Sequence, residues 1–481
     1  MATLRPAAVA GTFYPGEPTA LLGEVNELLD GVESFEVRFG HPKALIVPHA
    51  GYIYSGQTAA HAYNELTAAR GLVKRVVLLG PVHRVAVRGL ALPGTDEFAT
   101  PLGRIPIDAD AVRSLAGLAQ VVTSAPAHAM EHALEVQLPF LQRVLGTFSL
   151  LPLAVGAATP EQVAEVLETL WGGPETLIVI STDLSHYHEY GQAQRIDNDT
   201  VERIGRLESG LNHEQACGAT PLNGLLALAR KKGLTIRPLA ACNSGDNAGG
   251  RSRVVGYSAF ALDEGPAVSR EEAGRTLLGL ARASIGARLL LREAPKADGA
   301  SWLAQPGATF VTLTQEGRLR GCIGSLAPQR PLGADVVANA AAAAFSDPRF
   351  KPMTAAEWAD TQTEVSLLSA AKPIRFADED ELLDKIVPGE DGLIIETAGH
   401  RGTFLPQVWE SLPDKRAFLA GLKRKAGLPA DFRTGRCRVL RYRVIKWKQS
   451  DFGKQSDFGK QSDFGKQSDA TVGHGSSANT V

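Results

Sequence analysis

Lys43-Ala44-Leu45-Ile46-Val47-Pro48-His49-Ala50-Gly51-Tyr52 is an apolar run that ends in a histidine and then a glycine. A short block of Leu, Ile and Val closed by Pro and Gly reads as a buried strand entering a loop. The pattern is written twice more. Arg75-Val76-Val77-Leu78-Leu79-Gly80 runs into Pro81-Val82-His83, and Thr176-Leu177-Ile178-Val179-Ile180 runs into Ser181-Thr182-Asp183-Leu184-Ser185-His186. Each run delivers a metal- or proton-competent side chain just past its C-terminal end, the edge at which open α/β sheets bind ligands. Further strand-like runs at residues 148–155 and 253–262 alternate with helical patterns at 57–69, 135–145, 160–171 and 213–232. This alternation predicts an α/β domain over residues 1–264, a mixed sheet flanked by helices. Thr159 as N-cap followed by Pro160 is a strong helix start within it.

The texture changes near Asp263-Glu264-Gly265-Pro266. A helix from Ser269 to about residue 292 follows, capped by Ser269 with Glu271 and Glu272 in its first turn. Residues 310–314 and 318–325 form a hairpin pattern around Gln315-Glu316-Gly317, an alanine-rich helix spans 332–345, and strands are predicted at 363–369 and 393–396. Strand pairs separated by helices predict an α+β domain over residues 267–447. From Lys448 the hexapeptide K-Q-S-D-F-G repeats three times and starts a fourth, so residues 448–481 read as a polar, disordered tail that includes His474.

The length of 481 residues favours two to four domains. Lys and Arg total 50 against 52 acids, a net charge of −2 that argues against nucleic-acid binding by bulk charge. No apolar run reaches the ~18 residues that span a bilayer. The four cysteines, Cys217, Cys242, Cys322 and Cys437, form no C-x-x-C pair, and the N-terminus lacks a signal-peptide core. These features predict a cytoplasmic protein with reduced thiols and no membrane partner.

His49, His83 and Cys242 are candidate metal ligands, since imidazole and thiolate suit Fe, Cu or Zn. Cys242 is read as lying in a polar loop, Ala240 to Asn247, after a strand-like run at 234–239. The competing reading is three unrelated loop residues. Asp183 and His186 are three apart, so the carboxylate can orient the imidazole as a general base; a helix-capping Asp beside a surface His is the alternative. His132, in His128-Ala129-Met130-Glu131-His132, is a further catalytic candidate, with His128 read as part of a solvated helix start. In the second domain Cys322 lies between glycines, with Arg320 placed by strand alternation on the same face to depress its thiol pKa; a small buried cysteine is the competing reading. His400 is that domain's one histidine and hence the one candidate imidazole base for it.

Pro48–Gly56 (P-H-A-G-Y-I-Y-S-G), L-G-P-V-H at 79–83, E-H-A-L-E-V-Q-L-P-F-L at 131–141, S-T-D-L-S-H-Y at 181–187 and the Cys242 segment together resemble the Memo family. That family is similar to class III extradiol dioxygenases, non-haem iron enzymes of α/β fold. The resemblance implies a divalent metal, iron(II) first with copper or zinc as alternatives, on His49, His83 and Cys242, and Asp183 and His186 in the pocket. A small phenolic or aromatic substrate follows, or a peptide if the pocket binds without turnover. L-R-G-C-I-G-S-L (319–326), A-F-S-D-P-R-F-K-P (344–352), V-S-L-L-S (365–369) and G-H-R-G-T-F-L-P-Q-V-W (399–409) resemble the AMMECR family over residues 267–447. Both families belong to the AmmeMemoRadiSam system, which implies a separate radical-SAM protein partner. A Cys322-based activity in the second domain is a further reading.

Overall fold

A computed structural model describes residues 3–32, 40–264, 268–289 and 300–452. The runs Ala44–Val47, Thr176–Ser181, Arg75–Pro81 and Ser149–Val155 are parallel neighbours in that order, and almost every residue in them is buried. Near-continuous apolar runs are what a parallel sheet covered on both faces requires. Among the described residues the sheet has nine strands; Val254–Asp263 joins it antiparallel to Ala44–Val47, and the strands Thr235–Asn243 and His186–His188 both pair with Val254–Asp263. One apolar layer packs the helices Pro18–Asp30, Gln57–Asn64 and Leu138–Leu145 against one face, and a second layer packs Pro160–Thr169 and Ala219–Lys232 against the other. The expected α/β architecture, a mixed sheet flanked by helices, is thus the fold of the first domain.

Several elements depart from the pattern read along the chain. The helix expected at 57–69 is preceded by a π-helical turn, Tyr52–Gly56, and breaks after Asn64 into a separate short turn, Thr67–Ala69. The polar helix Tyr190–Gly205 was not expected; its buried positions Ala193, Asp197, Thr200 and Ile204 include two polar residues, which masks the apolar stripe. Residues 240–243 are strand rather than loop, because Thr235–Asn243 shifts register between Pro238 and Ala240 and then continues pairing to Asn243.

The second domain is α+β as expected. Arg318–Gly324, Thr309–Gln315, Gln362–Leu368 and Val444–Lys448 form one antiparallel sheet in that order, with the helices Arg270–Arg288 and Leu332–Phe345 packed on it. A second sheet carries Gly392–Thr397, His400–Phe404 and Arg438–Tyr442, with Lys415–Lys425 against it. Glu316 and Gly317 take φ of 49° and 76°, the left-handed pair a tight hairpin turn demands. Residues 448–452, the first five of the first hexapeptide, belong to this fold. Gln449 accepts from Arg282 Nη1 at 2.5 Å, and Phe452 is buried where Gly274 leaves room: a Cβ on Gly274 would lie 2.7 Å from the Phe452 ring. The expectation of a disordered tail from 448 therefore does not hold for residues 448–452; the rest of the repeats and His474 lie outside the described residues.

Candidate metal centre

His49 leaves the Ala44–Val47 strand through Pro48, and His83 leaves Arg75–Pro81 through Val82. Both strands flank Thr176–Ser181 in parallel, so both histidines emerge at the same sheet edge. His132 arrives by another route, from the segment between the helix Ala125–Ala129 and the turn Glu135–Gln137. Two contacts hold that segment against the edge. Ser181 Oγ donates to the Ala133 carbonyl at 2.7 Å, and Gly80 permits close approach, since a Cβ there would stand 3.0 Å from Leu134 and 3.3 Å from Ser181.

One donor atom from each of His49, His83 and His132 lies within 4.8 Å of the other two, and among the described residues this is the group of His, Cys, Asp and Glu suited to hold a metal ion. Ring centroids are 5.3 Å apart for His49–His83, 5.4 Å for His49–His132 and 4.8 Å for His83–His132. The Nδ1 side of each ring is occupied. Ser181 spends its one hydroxyl proton on Ala133, so its oxygen accepts from Gln137 Nε2 and from His49 Nδ1, each at 2.9 Å. His83 Nδ1 donates to Glu131 Oε1 at 2.9 Å, and His132 Nδ1 lies 3.3 Å from the same oxygen. The His49 and His83 rings therefore keep their proton on Nδ1 and turn Nε2 away from these partners, the tautomer that metal-binding histidines take from such outer partners.

Burial, then the neighbouring His83, pushes His49 down to about 3. Burial and His49 push His132 down to about 4. Both rings are thus neutral at neutral pH. Burial works to raise the Glu131 carboxyl, but the His83 hydrogen bond and charge outweigh it and bring it to about 2, so Glu131 stays an anionic acceptor.

Asp183 Oδ1 accepts from the His49 backbone N–H at 2.7 Å, and Oδ2 stands 3.9 Å from His49 Nε2. Burial raises the Asp183 carboxyl. His186 contributes to the electrostatics of both Asp183 and His49, so it belongs to the same site. Its orientation differs from expectation: Nδ1 bonds the Leu184 carbonyl at 2.8 Å rather than Asp183. Tyr187 beside it has φ of 62°, a strained value for a non-glycine residue, and is 63% exposed. Phe13 lies 4.7 Å from the His132 ring, and exposed Ile53, Tyr54 and Met130 follow or precede site histidines in the chain.

Cys242 is not in the three-histidine group. It sits in the strand Thr235–Asn243 opposite Tyr257, with Sγ 3.0 Å from Thr58 Oγ1 and 3.5 Å from Asn247 Nδ2, and His132 takes the third position. Burial raises its thiol. Cys217, absent from the expected site, is closer: its Sγ is 3.4 Å from His49 Nε2 and accepts the Asp183 N–H at 3.3 Å. Burial, then Asp183, push it up to about 12, so it is a neutral thiol. Glu131, Ser181 and Gln137 were likewise not singled out beforehand; Glu131 was visible only as the acid adjacent to His132. His128 is not solvated. It is buried, with Nε2 2.7 Å from the Ala91 carbonyl, behind the site rather than in it.

Residues 5–261 match the Memo-like protein family. The chain belongs to that family. Residues 278–447 match AMMECR1, so both families are joined in one chain. Similar proteins include MEMO1 family proteins of Sulfolobus acidocaldarius, 31% identical over 277 residues (53% of this chain, 97% of the relative), and of Methanosarcina barkeri, 34% identical (54% and 100%). A solved structure of an uncharacterised protein from Pyrococcus horikoshii is 33% identical, with TM-score 0.34, over 37% of this chain and 91% of that one.

In the AMMECR1 region the partners expected for the thiol, Arg320 and His400, are turned elsewhere. The hairpin carries a bulge: Thr312 pairs Cys322 and Leu313 pairs Gly321, but Thr314 pairs Leu319, so Arg320 is the extra residue and strict alternation fails there. The Arg320 guanidinium turns to Glu357 Oε1 at 3.0 Å and the Lys351 carbonyl at 2.9 Å. Cys322 Sγ accepts from Thr312 Oγ1 at 3.3 Å, and the Arg349 guanidinium also interacts with it. His400 bonds the Ala426 carbonyl in the other sheet. Asp347, gripped by Arg349 at 2.9 and 2.7 Å, accepts the Cys322 N–H at 2.8 Å. These groups bond one another, except that the buried Arg320 Nη1 has no hydrogen-bond partner among the described residues.

Proposed function

We propose that the Memo-like domain is a metal-dependent redox enzyme, dioxygenase- or oxidase-like, acting on a small phenolic or aromatic substrate. The observation that carries this reading is the convergence of ring nitrogens from His49, His83 and His132 to within 4.8 Å of one another, with Ser181 and Glu131 holding the rings from outside. Neutral imidazoles fit divalent iron, copper or zinc, and we take iron(II) as the resident ion, with copper and zinc as alternatives. His49, His83 and His132 would hold it, and bound iron or copper would supply the redox couple, which zinc cannot. The protein's own groups supply the rest. His186, with Nδ1 committed to the Leu184 carbonyl, has Nε2 available to take a phenolic proton. Asp183, raised by burial, is suited to carrying a proton beside His49. Phe13 offers an aromatic wall next to His132. The cellular setting in this reading is cytoplasmic, and the partner is a separate radical-SAM protein that shares a substrate or pathway with the fused AMMECR1 domain. Among the described residues no helix is long and apolar enough to cross a membrane.

Anaerobically purified protein should carry one divalent metal per chain, lost in His132→Ala and kept in Cys242→Ala, and should take up oxygen with some member of a phenol and catechol panel. Absence of stoichiometric metal sinks the proposal. Bound metal without turnover on any phenol moves the site to a peptide-binding role, which the exposed Ile53, Tyr54 and Tyr187 beside the histidines would serve.

A further inference from the structure

A cavity of about 370 Å³ lies where the two domains meet, and His49, His83 and His132 are not among its lining residues. The first domain contributes Asn64, Glu65 and Thr67 to its wall, from the end of the helix Gln57–Asn64 and the turn after it. The second domain contributes an apolar lining that includes Trp302, Leu326, Leu332, Leu368, Ile394 and Leu440. The junction is tied by Lys372 Nζ, which donates to the Val32 carbonyl at 2.5 Å, and by the Arg375–Glu27 pair at 3.1 Å. The volume falls within the range of small-molecule sites, which are concave, mostly apolar and furnished with few polar groups.

The polar groups define what fits. The charged ones are committed: Glu65 to Arg237 at 2.8 Å, Arg401 to Glu396 at 3.1 Å, and Lys372 to Val32. An ionic ligand would find no unpaired counter-charge among them, and its desolvation would go uncompensated. Gln305 is the exception. It is only 8% exposed, it lines the cavity, and its backbone is bonded to Trp302 and Leu332, yet its side-chain amide has no hydrogen-bond partner among the described residues. Facing the cavity, its carboxamide offers one acceptor oxygen and two N–H donors to whatever enters.

We propose that this cavity is a second binding site, for a neutral, largely apolar small molecule that presents an amide-like edge, N–H beside C=O, to Gln305. The carboxamide of Gln305 donates from Nε2 to the ligand carbonyl and accepts the ligand N–H at Oε1, while the apolar wall covers the rest. Because Thr67 belongs to one domain and Gln305 to the other, occupancy joins the two.

The probe is 2-quinolinone, a flat neutral lactam, compared with N-methyl-2-quinolinone, which keeps the carbonyl but lacks the N–H. Binding to the full chain is followed by saturation-transfer NMR and calorimetry. The lactam should bind about 10-fold more tightly than its N-methyl form, the value of one buried hydrogen bond. Gln305→Leu should erase that preference, and Thr67→Trp, an exposed position in the first domain, should weaken both compounds at least about 10-fold with an unchanged circular dichroism spectrum. Equal binding of the two compounds, no binding of either, or a preference that survives Gln305→Leu overturns the proposal. Unaltered affinity in Thr67→Trp overturns the junction between domains as its place.

Discussion

The two domains each bring reactive side chains to the ends or edges of strands, but they dispose of the polar atoms in opposite ways. In the first domain, Ser181 and Glu131 take the Nδ1 side of His49 and His83 and flank His132, and one ring nitrogen from each of the three histidines converges on the others. In the second, Arg320, Asp347, Arg349 and Glu357 bond one another and the backbone of Cys322, so all but Arg320 Nη1 among their buried donors and acceptors are spent on holding the hairpin. A cluster of chemically capable residues is a site when its outer partners leave something unspent; otherwise it is a brace.

This contrast can be broken at several points. The largest effect should come from His132→Ala, which removes one of three convergent donors; metal affinity measured by competition with a chelator should fall at least about 100-fold. Glu131→Gln should follow, weakening metal about 10–100-fold because one amide replaces the anion that orients two rings. If metal binding survives either change intact, the histidine cluster is not the centre. In the second domain Asp347→Ala should leave metal binding alone but cost about 2 kcal/mol in a urea melt, because it strands the Cys322 N–H and the Arg349 guanidinium. Loss of metal there would erase the distinction between site and brace.

A smaller effect concerns pH. Burial pushes His128 down to about 4, well below the ordinary ~6.5 that the unfolded chain keeps. Between these values the unfolded state binds a proton that the folded state does not. The stability contribution is therefore present above pH ~6.5 and is lost as pH falls, by about 1.4 kcal/mol per pH unit. His128→Gln should flatten the acid limb of the metal-free protein's stability curve by about one proton, and an unchanged slope would refute the assignment. The smallest expected effect is that of Cys242→Ser: metal affinity within about two-fold of wild type. A large loss would return Cys242 to the ligand set and displace His132.

Much of the fold was legible because its central strands are buried on both faces and so read as continuous apolar runs. The same runs pointed to His49 and His83, which need only the parallel register to meet. The third donor was not legible. His132 reaches the edge through Ser181, 48 residues away from the carbonyl it holds at Ala133, and through the missing Cβ of Gly80. Nothing near His132 in the chain announces either contact. Cys242 misled for the opposite reason: polar and glycine-rich surroundings look like a loop, yet the strand continues through a register shift and turns the thiol toward Thr58. In the second domain, one bulged residue was enough to separate Arg320 from Cys322.

The anchoring of Phe452 beside Gly274 bears on how the C-terminus can change. The six residues from Lys448 are written again from Lys454 and once more from Lys460. Excision of any one whole unit leaves an identical Lys-Gln-Ser-Asp-Phe-Gly leading out of the last strand, with a phenylalanine at the same count of residues from Trp447. The hydrophobic slot therefore cannot distinguish chains of different repeat number, and the folded domain is blind to gains and losses in whole sixes while remaining sensitive to a deletion of any other length within the first unit.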